Sequence, residues 1–367
     1  MTYLLMACLV VLSVMAATAS SGGTLTHVNV YKSGEDGYAV YRIPTIETAP
    51  DGSLLAFAEA RKYNGGDPGQ DNNEIDLVLK RSTDGGRTWS AMGVVEHAGE
   101  RWSSANAATV VDRTTRRVWV LYLRCKPGRG TEEARPGTDD MMNLARYSDD
   151  NGVTWSDAID LTRAAREMDN PLWAGTVPGP GGAIQTRKGR LVVACWRAKP
   201  YLPFCLYSDD HGRTWSRGQV MPGPGGNECQ VVELADGRLL LNIRQNEGTH
   251  RWTSFSSDGG HTWSVPREGE SVSPVACAIE RYTWKGGGGR DRLLWTGPKG
   301  PSRNKLVARL SYDEGDSFAH ERVITEEPAA YSDLTLLKDG QAGVLWERAE
   351  YKYITFTVLP REFLEPK

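Results

Sequence analysis

One eight-residue pattern returns along this chain, and any fold proposed for it has to use that pattern. Ser82-Thr83-Asp84-Gly85-Gly86-Arg87-Thr88-Trp89 recurs at 148–155, 208–215 and 256–263, with a degenerate fifth copy at 311–318. The third-position aspartates, Asp84, Asp150, Asp210, Asp258 and Asp313, lie 48 to 66 residues apart, about the length of a four-stranded sheet unit in a repeating β-architecture. Each copy reads as a hairpin turn. Aspartate accepts backbone N–H groups inside the turn and glycine takes the positive φ that other residues resist. The tryptophan is large enough to wedge between neighbouring sheets.

A second rhythm supports this reading. Asp51-Gly52, Lys188-Gly189, Asp236-Gly237 and Asp339-Gly340 each lead toward an apolar stretch, as hairpin turns do. Residues 117–123 (RVWVLYL) and 75–79 (IDLVL) read as strands. Helical periodicity is nearly absent, with one short turn expected in 161–168. The chain from about residue 20 to its end therefore reads as one all-β domain.

The first 19 residues are apolar and end in Ala17-Thr18-Ala19, which fits signal-peptide cleavage and a secreted or periplasmic product. No basic stop-transfer flank follows, so no stable membrane insertion is expected after cleavage. Net charge is −3 with no basic run, which argues against nucleic acid as a partner. Beyond residue 19 the cysteines are Cys125, Cys195, Cys205, Cys229 and Cys277, an odd set without CxxC spacing. They read as buried small hydrophobes, with Cys195–Cys205 left open as a pair across a hairpin. The six histidines are scattered singly, so neither a metal nor another cofactor is indicated.

The repeats resemble the Asp boxes of the sialidase superfamily, bacterial type, and the likeness runs through essentially the whole chain after the leader. That resemblance implies a six-bladed β-propeller of four-stranded antiparallel sheets. Box aspartates in that family are turn devices away from the active site, so the chemistry must lie between them. Tyr41-Arg42-Ile43-Pro44 is similar to the family's F/Y-R-I-P motif, whose arginine binds the substrate carboxylate. Arg244 and Arg303 match the second and third arginines of that clamp. Glu347, in Trp346-Glu347, resembles the glutamate that orients the first. Guanidinium groups suit the task, because they grip carboxylates with paired hydrogen bonds and stay charged at any working pH.

Tyr331, in Tyr331-Ser332-Asp333-Leu334, matches the family's tyrosine nucleophile and Glu228 its activating base. A neutral phenol meets an anionic substrate without the repulsion a carboxylate would suffer, and sialidases are an exception among retaining glycosidases for this reason. The general acid/base is Asp71 or Asp67. Asp71 lies 11 residues before Ser82, the family spacing, and is preferred; counting forward from Arg61 favours Asp67. By resemblance Arg61 contacts the O4 side of the sugar, and Asn106 also touches substrate. The stretch 179–185 (GPGGAIQ) is expected to shape a loop at the cleft rim.

The expected activity is that of a monomeric, retaining exo-α-sialidase acting on sialylated glycans through a tyrosyl-enzyme intermediate. A sialic-acid-binding propeller without turnover, a trans-sialidase, and an enzyme for a related 2-keto sugar acid are the alternatives.

Overall fold

The computed structural model describes residues 25–287 and 289–365; the leader expected at 1–19 lies outside them. Among the described residues strands dominate. Helix is confined to Thr162–Ala165, Arg361–Leu364 and a short 3-10 turn at Lys285–Gly287. None of these is long and apolar enough to cross a membrane.

Antiparallel pairing groups the strands into successive runs. The first holds Val40–Thr48, Leu54–Arg61, Ile75–Ser82 and Gly93–Glu96. The second holds Ser103–Asp112, Arg117–Cys125, Met141–Ser148 and Ile159–Asp160. In the third, Gly175–Pro178 and Ile184–Gln185 both pair with Leu191–Ala198, followed by Leu202–Ser208 and Ser216–Arg217. The fourth holds Cys229–Glu233, Leu239–Arg244, His250–Ser256 and Arg267–Ser271. The long strand His320–Leu336 serves two runs. Its early part pairs with Asn304–Ser311, which leads back through Arg292–Pro298 to Ala278–Thr283. Its later part pairs with Ala342–Arg348, followed by Tyr353–Leu359, and His27–Lys32 completes that sheet from the other end of the chain. The architecture is all-β, of the propeller class.

The four X-Gly turns each join a first strand to a second, with glycine φ between 80° and 96°. The repeated octapeptides follow the third strands. In the first copy, Asp84 Oδ1 accepts from the N–H groups of Arg87 and Thr88, both at 3.0 Å, and from the Ser82 hydroxyl at 2.8 Å. Those bonds hold its carboxyl well below the ordinary range. The octapeptide also locks neighbours together. Trp89 meets Phe356 edge-on at 5.5 Å, Trp155 meets Phe57 at 5.7 Å, and Trp215 meets Trp119 at 6.0 Å. In each pair the partner belongs to the preceding run, the last run preceding the first, so each tryptophan fastens one sheet to the next.

Among the described residues the five cysteines are all buried and free. The strand register explains why Cys195 and Cys205 do not join: Cys195 faces Phe204 and Cys205 faces Ala194. An offset of one residue turns the two thiols to opposite faces of the sheet, and they pack into different apolar clusters.

Candidate active site

Strand direction carries the candidate residues to one end of the sheets. Arg42 and Glu228 lie at or beside the starts of first strands, and Arg61, Arg244 and Glu347 at or near the ends of second strands. The repeated octapeptides, at the ends of third strands, are left at the opposite end.

Arg42 is 9 % exposed, and its Nε donates to Glu347 Oε1 at 2.6 Å. Glu347 is itself buried and accepts two backbone N–H groups, Ile43 at 3.0 Å and Tyr331 at 3.1 Å. One carboxylate thus ties the arginine to the tyrosine. Ile43 sits at φ 55°, a conformation that strains a β-branched residue, within a register shift between Arg42 and Thr45. Such bulges re-aim side chains. Burial works against the charge of Arg42, and Glu347 outweighs it, so its pKa lies above the ordinary value.

The Tyr331 hydroxyl lies 2.7 Å from both Glu228 oxygens and accepts from Arg244 Nη1 at 2.7 Å. The same Arg244 nitrogen reaches Glu228 Oε2 at 2.5 Å. Burial, then the negative charge of Glu228, pushes the phenol well above its usual pKa against the pull of Arg244 and Arg42. The guanidinium carbons of Arg42 and Arg303 lie 5.4 and 5.5 Å from the Tyr331 ring centre. Three guanidiniums therefore converge on one phenol with two carboxylates, Glu228 and Glu347, which leaves room for one further negative charge.

Sequence reasoning missed Tyr351. Its hydroxyl accepts from Arg303 Nη1 at 2.7 Å while its ring centre lies 4.2 Å from the Arg42 guanidinium. It ends a run of three non-glycine residues with positive φ, Ala349, Glu350 and Tyr351 at 51°, 53° and 69°. No composition or motif signal marks such a turn in advance.

Asp333, two residues beyond the tyrosine in the same motif, pins the strands below it. Its carboxylate, 1 % exposed, accepts from Ile46 N at 2.8 Å, Gly182 N at 3.1 Å and Gln230 Nε2 at 2.8 Å. Burial raises it to about 6 despite those three bonds. The stretch 179–185, expected as a rim loop, is instead interior. Gly181 and Gly182 pair in parallel with Ala108 and Thr109. A Cβ on Gly181 would lie 1.9 Å from Gln230 Nε2, so glycine here permits close approach at the centre rather than a flexible edge.

Arg61 is 1 % exposed. It donates to Glu59 from Nε and Nη2, at 3.1 and 2.7 Å, and from Nη1 to the Gly65 and Gly66 carbonyls at 2.6 and 3.1 Å. It is therefore clamped beneath the loop that follows it. Asn106, at φ 52°, donates its backbone N–H to Glu59 Oε1 at 2.9 Å. Asp67 and Asp71 are both exposed on that loop. Asp67 accepts from Arg61 Nη1 at 3.1 Å, whereas the Asp71 backbone carbonyl accepts from Arg101 at 2.9 Å.

Glu74, Asp76 and His97 bring three potential ligand atoms within 4.8 Å of one another. Lys62 already holds Glu74 at 2.6 Å, and Tyr38 and His97 hold Asp76 at 2.5 and 2.8 Å.

In this propeller-class fold three arginines gather around a tyrosine–glutamate pair, and comparison with known proteins gives the family. The BNR repeat-like domain model matches residues 52–344. The sialidase of Micromonospora viridifaciens is 32% identical over 346 residues, covering 88% of this chain and 52% of that protein. The sialidase of Paraclostridium sordellii is 34% identical over 238 residues, covering 61% of this chain and 57% of its own length. Among solved structures, Hadza microbial sialidase Hz136 superposes with a TM-score of 0.83 at 27% identity, covering 92% of this chain and 68% of that one. The chain belongs to the bacterial sialidase family with BNR repeats. It spans little more than half the length of these two curated relatives.

Proposed function

We propose that this protein is an exported, retaining exo-α-sialidase that removes terminal sialic acid from glycans. The observation that carries this reading is the Tyr331 hydroxyl held between Glu228 and Arg244 under two further arginines.

Sialic acid is a 2-keto acid, so its anomeric carbon bears a carboxylate. Arg42, Arg244 and Arg303 would bind that group, which brings the negative charge the site lacks, and so place the anomeric carbon over Tyr331. The phenol is held neutral by burial and needs a base at the moment of attack. Glu228 takes its proton as the new oxygen–carbon bond forms. Asp71 protonates the departing glycosidic oxygen, then takes a proton from the water that cleaves the tyrosyl intermediate. Asp71 is preferred over Asp67 because Asp67 is paired with Arg61. The strand runs are read as six blades, with this site on their common axis.

The test is hydrolysis of a fluorogenic α-sialoside by the chain lacking residues 1–19, with Tyr331→Phe, Asp71→Ala and Asp67→Ala alongside. Turnover with retention of anomeric configuration, and large losses in the first two variants only, is expected. A parent chain that binds sialic acid without turnover would sink the hydrolase reading.

A further inference from the structure

Outside the central site, a cavity of about 690 Å³ opens against the third run of strands, between Trp173, Arg197, Arg217 and Gln219. A second hollow of about 530 Å³ shares Glu167, Asn170 and Arg217 with it and adds Arg163 and Arg166. Arg197 lies in the cavity wall at 8 % exposure. The only hydrogen bond of its side chain among the described residues is a long one, from Nε to the Pro200 carbonyl at 3.5 Å. Its guanidinium lies 5.6 Å from the Trp173 ring centre, and Arg217 lies 5.8 Å from the same ring.

Glu167 is the opposing charge at hand, and it is engaged by Arg217 at 3.4 Å and by the Asn170 amide at 3.0 Å. Burial pulls the Arg197 pKa down, and Glu167 restores only part of it. A buried cation without a partnered anion is costly. The other deeply buried arginines differ: Arg42, Arg61, Arg281, Arg292 and Arg309 hold carboxylates, while Arg166 and Arg251, which hold none, are spent on close backbone carbonyls, with Asn242 as well for Arg251.

Arg197 also has a telling place in the strand pattern. It stands one residue from the end of Leu191–Ala198, the strand that corresponds in its run to Leu54–Arg61 and Leu239–Arg244. Those strands end at Arg61 and Arg244. The same direction carries Arg197 to the end of the molecule that holds the central site, and the cavity runs from there along the side of the run toward Trp215 and His261 of the octapeptides.

We propose that this pocket is a second subsite, binding the carboxylate of an acidic sugar through Arg197 with Arg217 beside it. A planar guanidinium matches a carboxylate with two parallel hydrogen bonds. The cavity is far larger than an inorganic anion and falls in the usual range for small-molecule sites. Asn170, Ser216 and Gln219 on its wall offer polar partners for sugar hydroxyls. The choice of an acidic sugar rests on the sialidase reading of the central site.

The experiment is calorimetric titration of the Tyr331→Phe chain with 3′-sialyllactose, with lactose and sodium sulfate as separate probes. Two binding events are expected for sialyllactose and none for lactose. Adding Arg197→Met should weaken one event at least tenfold, Arg197→Lys should weaken it less, and Arg217→Met should give an independent loss. Unchanged hydrolysis of a small fluorogenic sialoside by the single variant Arg197→Met would show that the fold and the central site are intact. A single event untouched by Arg197→Met would overturn the subsite and leave the central reading standing. A single event abolished by Arg197→Met would instead support the subsite while contradicting the central reading. Binding of sulfate without sialyllactose would overturn the assignment to a sugar.

Discussion

The hydroxyl of Tyr331 is equidistant, at 2.7 Å, from the two carboxylate oxygens of Glu228, a residue 103 positions earlier in the chain. In the proposed mechanism either oxygen could take the proton, so attack would require no rotation of the base. Glu228→Gln keeps the shape and removes the basicity. Its kcat should fall by ~10²-fold or more, the scale of general-base catalysis. A kcat equal to the parent's would contradict the role.

Glu347 serves Arg42, Ile43 and Tyr331 at once. Glu347→Gln leaves a buried guanidinium without its counter-charge, a change that costs ~3–5 kcal/mol when one partner of a buried pair is removed. A lower denaturation midpoint is expected together with a raised KM, because in the proposed function the displaced clamp binds the substrate carboxylate. Loss of stability with an unaltered KM would place Glu347 in the scaffold alone.

Tyr351 offers two separable contributions, a ring against Arg42 and a hydroxyl for Arg303. Tyr351→Phe retains the first and should raise KM roughly tenfold with kcat preserved, since a hydrogen bond to a charged group is worth ~1.5–3 kcal/mol. Tyr351→Leu should raise KM further. Equal effects of both variants would show that the ring contributes nothing beyond the hydroxyl.

At Gly181 the φ is 106°, and a Cβ would lie 2.5 Å from Asp333 Oδ1 as well as striking Gln230. Gly181→Ala should therefore destabilise the chain by ~2 kcal/mol or more through strain and overpacking. Urea unfolding would measure it. A neutral outcome would mean that the centre can yield.

Glu47 and Glu280 line a cavity of about 630 Å³ below Asp333. Burial raises both to about 8, helped for Glu47 by Glu280 and Asp333 and for Glu280 by Asp333. The folded chain thus holds these protons more tightly than the unfolded one, where glutamate titrates near ~4.3. Their contribution to stability is complete below the unfolded pKa and is lost as pH rises through about 8. The Glu47→Gln/Glu280→Gln variant should gain stability over the parent progressively from pH 5 to pH 8. A pH-independent difference in melting temperature would refute the coupling.

The turns were open to reading because their chemistry is local. Asp84, Ser82 and Gly86 bond within five residues, so a short window of sequence contains the whole device. The site motifs could be recognised only through resemblance. Nothing near Arg42 announces Glu347, 305 residues away. Tyr351 stayed hidden because its backbone is dictated by packing rather than by glycine or proline. Stretch 179–185 misled because glycine reads as a turn, while at Gly181 it marks crowding by Gln230 and Asp333. Arg61 was expected at the sugar, and the structure places it under residues 65–67.

The pairing of His27–Lys32 with Tyr353–Leu359 has a bearing on biosynthesis. A chain leaving the ribosome N-terminus first carries Arg42 long before Glu347 exists to hold it. The arginine clamp cannot be assembled until the last sheet has been made and its outer strand recruited from the beginning of the chain. Translation products that stop short of Glu347 therefore carry Arg42 without the carboxylate that orients it.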